Sequence, residues 1–186
     1  MTSDHQLDLL FDPSLIPASV QNLLGPELHL RPLASDDVNR GHFDVLSVLT
    51  VAPQLSPKAY KENFDRLKAC AGTYFIIVIV DKATDKIVAS GSIIVERKFL
   101  RNAGLVGHIE DIAVSKAVQG KKLGLRIINA LEEIGASQGC YKIILDCSEK
   151  NIPFYEKCGF KHKEFEMVRY MADPKDVAKS PTTSKL

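Results

Sequence analysis

Hydrophobic positions along the chain fall into two periods, and the switches between them outline the fold. Thr73 to Asp81 is an almost unbroken apolar run of strand length, Lys82 to Asp85 is a polar turn, and Lys86 to Arg97 is a second, longer strand in a hairpin with it. Upstream, Leu28 to Pro32 reads as a first strand. A helix that Ser35 or Asp36 can cap follows, running to about Leu49 through Val38, Phe43, Val45, Leu46 and Leu49. Ser56 and Pro57 open another, with Tyr60, Phe64, Leu67 and Ala71 on one apolar face. Downstream, Gly104 and Gly107 frame the entry to a strand containing Ile109, Ile112, Ala113 and Val114. From Gly124 the spacing becomes helical, with Ile127, Ile128, Leu131 and Ile134 inward and Glu132 and Glu133 outward, until Gly139. Tyr141 to Asp146 is a further strand, Pro153 to Cys158 a short helix and Phe165 to Met171 a last strand. No internal repeat is visible. This order predicts an α+β fold, a mixed sheet with helices on both faces.

At 186 residues and 45% hydrophobic content the chain can bury one core, so a single domain over residues 26–172 is expected, with a flexible arm at 1–25 and a flexible tail at 173–186. Phe11, Leu15 and Ile16 could pack the arm against the domain. A formal charge of +1 excludes bulk attraction to nucleic acid or anionic membrane, so any taste for anions must be local. The longest apolar runs, Phe75 to Val80 and Ile143 to Leu145, are far below the ~20 residues of a membrane span, and Met1 to Asp12 is too polar for a signal peptide. An intracellular, soluble protein is expected. The terminal Ser184-Lys185-Leu186 offers a peroxisomal address as the alternative. Cys70, Cys140, Cys147 and Cys158 form no C-x-x-C pair and read as reduced, structural thiols rather than an acyl-carrying nucleophile.

The chemistry concentrates in two segments. In Ile109 to Gly124 a strand meets a helix through Gln119-Gly120-Lys121-Lys122-Leu123-Gly124. Two lysines at a helix start oppose its dipole, which a bound phosphate would resolve, with Gly120 and Gly124 admitting backbone N–H groups; a solvated lysine pair is the competing reading. The second segment is Asn151-Ile152-Pro153-Phe154-Tyr155-Glu156-Lys157-Cys158-Gly159-Phe160. Together the two resemble the GCN5-related N-acetyltransferase superfamily. Gly107-His108-Ile109-Glu110-Asp111-Ile112-Ala113-Val114 and Gly139-Cys140-Tyr141-Lys142-Ile143-Ile144-Leu145-Asp146-Cys147 narrow the resemblance to the eukaryotic glucosamine-6-phosphate N-acetyltransferases, over about Leu28 to Met171. Lys122 departs from the pattern, which usually has glycine there.

The resemblance implies a mixed, mostly antiparallel sheet flanked by helices, and acetyl transfer from acetyl-CoA to the amine of glucosamine 6-phosphate in a ternary complex, towards UDP-N-acetylglucosamine. It implies that Gly120, Lys121, Lys122, Leu123, Gly124 and Leu125 hold the pyrophosphate and that the backbone of Ile112, Ala113 and Val114 pairs with the pantetheine arm. Tyr155 would then donate to the departing thiolate. By residue type alone Tyr155 reads first as a core tyrosine beside Phe154 and Phe160, and the motif reverses that preference; Asn151 is a helix cap before it is a cofactor contact. Among carboxylates, Glu110 and Asp146 are candidates to position or deprotonate the amine. Strand alternation puts Asp111 on the face opposite Glu110, so that one of the two faces substrate and the other braces structure. The basic run Arg97-Lys98-Phe99-Leu100-Arg101 is by itself a solvated loop. The resemblance makes Lys98, Phe99, Leu100 and Arg101 substrate contacts, with Thr50, Glu110, Asp111, Ile112, Tyr141, Lys142, Asp146 and Arg169, and implies a homodimer with shared sugar sites. His108 and Glu110 have the i, i+2 spacing of metal ligands but no third partner nearby, so no metal is expected. The alternatives are acetylation of a protein amine and a non-catalytic acyl-CoA sensor.

Overall fold

A computed structural model of the chain, describing residues 3–171, centres on the expected hairpin. Strands β2 (Tyr74–Asp81) and β3 (Lys86–Arg97) pair antiparallel, with Ile77 opposite Gly91. β1 (Leu28–Pro32) flanks β2, β4 (Leu105–Val114) flanks β3, and β5 (Cys140–Ile144) lies beyond β4, giving the order β1-β2-β3-β4-β5. Only β4 and β5 run parallel. A parallel pair needs a long crossover, and the helix over Leu123–Ser137 supplies it.

The alternation of β2 divides the core into two layers. Phe75, Ile77 and Ile79 face the crossover helix, whose Ile127, Ile128, Leu131 and Ile134 are buried against them and against Ile93 and Ile109. Val78 and Val80 face the other way, towards Val45 and Phe64. Those two side chains belong to helices His42–Leu46 and Pro57–Ala69. The helices are numbered in chain order: α1 (Ala18–Gln21), α2 (His42–Leu46), α3 (Pro57–Ala69), α4 (Leu100–Ala103), α5 (Leu123–Ser137) and α6 (Ile152–Lys157). Ser56 caps α3 by accepting from the Ala59 amide at 3.2 Å. No helix among the described residues is long and apolar enough to cross a membrane.

Four expectations change. The helix proposed from Ser35 or Asp36 to Leu49 is split: a 3₁₀ turn covers Asp37–Arg40, and Gly41, at φ 80°, restarts the chain as α2. Neither Ser35 nor Asp36 caps it, because the fold takes Asp37 inward, where its carboxylate accepts from both Arg31 guanidinium nitrogens (2.8 and 2.7 Å) and from the Ala34 amide (2.7 Å). Ala71 lies beyond the end of α3 and is exposed, so Tyr60 and Phe64 alone are buried from that face. The strand expected over Phe165 to Met171 does not form; Phe165 and Met167 are 85% and 93% exposed. A strand needs a neighbour, and this stretch pairs with none among the described residues. The segment before β1 is docked: Leu10 and Val20 are buried, Leu9 bridges to Ala34, Phe11 meets Phe75 edge-on at 5.2 Å, and Ser19 donates to Glu133 of α5. The tail over 173–186, including the terminal tripeptide, lies outside the described residues.

Candidate active site

β4 and β5 start as neighbours and then part. Their pairing runs from Leu105 and Cys140 to His108 and Ile144, whereas β4 continues along β3 until Val114 meets Ala89. From Ile109 onward the outer edge of β4 therefore has no strand beside it among the described residues, and its peptide groups are available to an extended ligand. Ile112, Ala113 and Val114 lie on this free stretch.

Where β4 ends, α5 begins without a side-chain cap. Gly120 has φ 88°, Lys122 has φ 59° and ψ 22°, and the helix starts at Leu123. The first N–H groups of a helix have no partner within it and carry about half a positive charge. Lys121 adds its ammonium, 4.0 Å from Glu27. An uncapped 15-residue helix beside basic side chains can receive an anion, while Lys121, exposed and near Glu27, also fits the solvated reading. Lys122 takes the left-handed conformation that glycine adopts freely, at a cost of about 1–2 kcal/mol. That accounts for the glycine usual in this pattern and for how the chain manages without it.

The second motif lies against the first. A methyl group placed at Gly124 would stand 3.4 Å from Phe154 Cζ and 3.7 Å from Val114 Cγ2, so the start of α5, the end of β4 and α6 converge at one point. Tyr155 is half-buried between Phe154 and Phe160, with ring centroids 5.0 and 6.2 Å away. Burial, followed by the nearby Cys147, Cys158 and Glu110, raises its phenol above the ordinary value, so it stays a proton donor at neutral pH. Asn151 precedes α6 but makes no capping bond. The cap reading is thus not realised.

A family model described as the acetyltransferase (GNAT) family matches residues 43–160. The chain belongs to the GNAT family. Among its relatives, glucosamine 6-phosphate N-acetyltransferase 1 of Dictyostelium discoideum is 46% identical over 83% of this chain and 98% of that protein. The crystal structure of glucosamine-6-phosphate N-acetyltransferase from Arabidopsis thaliana superposes with a TM-score of 0.76 at 38% identity, covering 78% of this chain and 99% of that one. A Trypanosoma brucei acetyltransferase structure gives a TM-score of 0.72 at 41% identity, covering 77% and 99%.

In this GNAT chain the edge of β4 is shaped by a bulge. Ser90 pairs with Ala113 and Ser92 with Glu110, leaving one residue of β3 against two of β4, and Asp111 takes φ 56°. The extra residue resets the alternation. Ile112 packs on the α5 side, 2.6 Å from where a Gly91 side chain would begin, while Asp111 joins Glu110 in lining a cleft of about 380 Å³ under α2 and α3. Opposite faces for the two acids were expected, and the bulge overturns that. Burial raises the Glu110 carboxyl above its ordinary value, with Asp111 and Asp146 adding to the effect and His108 opposing it. A carboxylate so placed is a stronger base than a free one.

The remaining candidates lie around this face. Next to Glu110 along β4, His108 Nε2 lies 2.9 Å from Glu96, whose same oxygen binds the Lys98 ammonium. Phe99 and Leu100 are exposed, and Arg101, Asn102 and Ala103 all have positive φ; the Arg101 guanidinium stands 5.7 Å above the exposed Tyr141 ring. Thr50 lines a neighbouring cleft that Asp111 also borders. Lys142 and Asp146 are exposed, as is Arg169 on the extended stretch after Phe160. Among the described residues no group of three or more His, Cys, Asp or Glu side chains is placed to hold a metal ion.

Sequence reasoning missed the floor of the cleft. His42 Nδ1 and the Tyr60 hydroxyl are 2.8 Å apart, its Nε2 lies 3.3 Å from Ser90 Oγ, and Ser92 donates to the Glu110 carbonyl at 3.2 Å, so polar side chains hold both flanks of the bulge. Tyr60 sits at a core-facing helical position, and nothing in the pattern shows that its hydroxyl has a partner. Burial holds His42 down to about 4, with Arg31 acting in the same direction and Asp37 against it. The native state therefore leaves this imidazole neutral where the unfolded chain, near 6.5, takes a proton. Stability is full above about 6.5 and falls as pH drops towards 4, by about 3 kcal/mol if His42 acts alone. Urea denaturation at pH 7 and 4.5 is expected to show this fall, and His42→Gln to flatten it. An unchanged pH slope in that variant would assign the titration elsewhere.

Proposed function

We propose that this chain transfers the acetyl group of acetyl-CoA to the amine of glucosamine 6-phosphate, releasing CoA and N-acetylglucosamine 6-phosphate. The observation that carries the reading is the match, at 46% identity over nearly its whole length, to a relative bearing that name. The site supports it residue by residue. The uncapped start of α5, with Gly120, Lys121, Lys122, Leu123, Gly124 and Leu125, suits the pyrophosphate, and the free edge of β4 at Ile112 to Val114 suits the pantetheine arm, with Asn151 free to reach it. Acetyl-CoA supplies the activated acyl carbon. A β4 amide donates to its carbonyl oxygen, an interaction worth roughly 2.7–4 kcal/mol in other enzymes.

Glu110 takes the proton released as the amine nitrogen bonds to the acyl carbon, Asp146 and Asp111 orient the amine, and Tyr155 gives its proton to the leaving sulfur. The phosphate lies along the basic side of the face, towards Lys98 and Arg101, with Thr50, Tyr141, Lys142 and Arg169 completing the sugar site. A homodimer fits the exposed apolar residues Phe165, Met167 and Tyr170 and the position of β5 at the edge of the sheet. The product leads towards UDP-N-acetylglucosamine in the cytoplasm, with peroxisomal import through the last three residues as the alternative.

Following free thiol after mixing the protein with acetyl-CoA tests this directly. Release that requires glucosamine 6-phosphate is the expected result. Release with a peptide amine instead would make the chain a protein acetyltransferase, and no release with any amine would make it an acyl-CoA sensor.

A further inference from the structure

The face over the Asp111 bulge has two unlike ends, and the cleft lies at one of them. Towards the β3–β4 turn the face is polar: Glu110 is followed by His108, and beyond it the Lys98 ammonium reaches back to the carboxylate that His108 also binds. Beneath α2 and α3 the walls are mainly hydrocarbon, from Leu33, Leu46, Leu55, Phe64, Leu67 and Ile76, with Asn63 of α3 the polar side chain among them. Sugar hydroxyls and a phosphate suit the first end. They do not suit the second, whose mouth carries the two carboxylates Glu110 and Asp111 and repels a phosphate. Nor does the apolar end require a polar ligand, since His42, Tyr60 and Ser90 at its floor already bond to one another. The proposed acetyl transfer leaves this end without an occupant.

We propose that it receives the tail of an acyl group longer than acetyl, so that the protein also moves short straight-chain acyl groups from their CoA thioesters to the same amine. The bulge is where the free β4 edge and the mouth of the cleft share residues. A thioester carbonyl held by a β4 amide there has its alkyl chain at the entrance to the apolar end of a cleft of about 380 Å³ in all. That space is more than a methyl group fills. The step balances as acetyl transfer does: the acyl C–S bond breaks, a C–N bond forms, and the proton lost by the amine is matched by the one that leaves with CoA as free thiol. Each added methylene that leaves water for these walls favours binding by about fourfold.

The inference rests on the acetyl-transfer reading, and its test keeps the two apart. Initial rates of thiol release are measured with glucosamine 6-phosphate and acetyl-, propionyl-, butyryl- or hexanoyl-CoA. Propionyl and butyryl are expected within about tenfold of acetyl in kcat/KM. Leu67→Trp, which fills the far wall, is expected to lower butyryl transfer at least about tenfold while acetyl transfer stays within twofold. Leu46→Trp, on the other helix, repeats the test should the first variant melt early. Acetyl transfer with butyryl more than about a thousandfold slower, or wall variants that reduce both donors equally, would overturn the inference alone. No turnover with acetyl-CoA would instead sink the reading it stands on.

Discussion

Replacing Tyr155 by phenylalanine is expected to lower turnover at saturating acetyl-CoA and sugar phosphate by about 10²-fold, the lower end of what a positioned acid contributes. The low end applies because a thiolate is already a fair leaving group, with a thiol pKa near 8.5. The substitution removes one oxygen and keeps the ring packed between Phe154 and Phe160, so KM for acetyl-CoA should change little. Burial raises the Tyr155 phenol, so it stays protonated through neutral pH, and the acid limb of the profile belongs to another group. In the proposed mechanism that group is Glu110, whose carboxyl burial also raises. Activity should fall as pH drops through a value above the ordinary carboxylate range, with the same acid limb in Tyr155→Phe as in the native protein. A loss of less than about threefold would return Tyr155 to the core.

Much of the scaffold is legible along the chain because its signals are local. The β2–β3 hairpin appears where expected, since Lys82 to Asp85 interrupt two apolar runs, and α5 follows from the spacing of Ile127, Leu131 and Ile134. Features decided by distant partners are not legible. Gly41 splits the helix because Arg31, from β1, captures Asp37. The Asp111 bulge belongs to the β3–β4 register, and no alternation within β4 alone reveals its extra residue. At the site, resemblance paired the Gly120 turn with Tyr155, and the approach of Phe154 to Gly124 gives that pairing a physical form. His42 and Tyr60 escaped because each fits a core position and only their contact makes them polar. Phe165 to Met171 looks like a strand because its composition suits one, but composition cannot supply a neighbour.

Asp37→Ala is expected to be the most damaging single change outside the site, costing about 3–5 kcal/mol. Arg31 is 1% and Asp37 0% exposed. The carboxylate accepts from the Arg31 guanidinium twice, from the Ala34 amide, and from Arg40 at 3.2 Å. Removing it leaves the Arg31 charge in the interior without its main counter-ion and frees the turn that leads into α2. Since a domain's net stability is about 5–15 kcal/mol, such a loss is a large share of it, and urea denaturation would show the shift directly. The pair itself need not stabilise: burying two charges costs nearly what their attraction returns, so exchanging both for hydrocarbon is often neutral. Arg31→Met with Asp37→Leu should therefore recover a good part of what Asp37→Ala loses. Should the double variant prove no more stable than the single one, the Ala34 amide and Arg40 contacts, which hydrocarbon cannot replace, would be the reason the chain keeps aspartate at the entrance to α2.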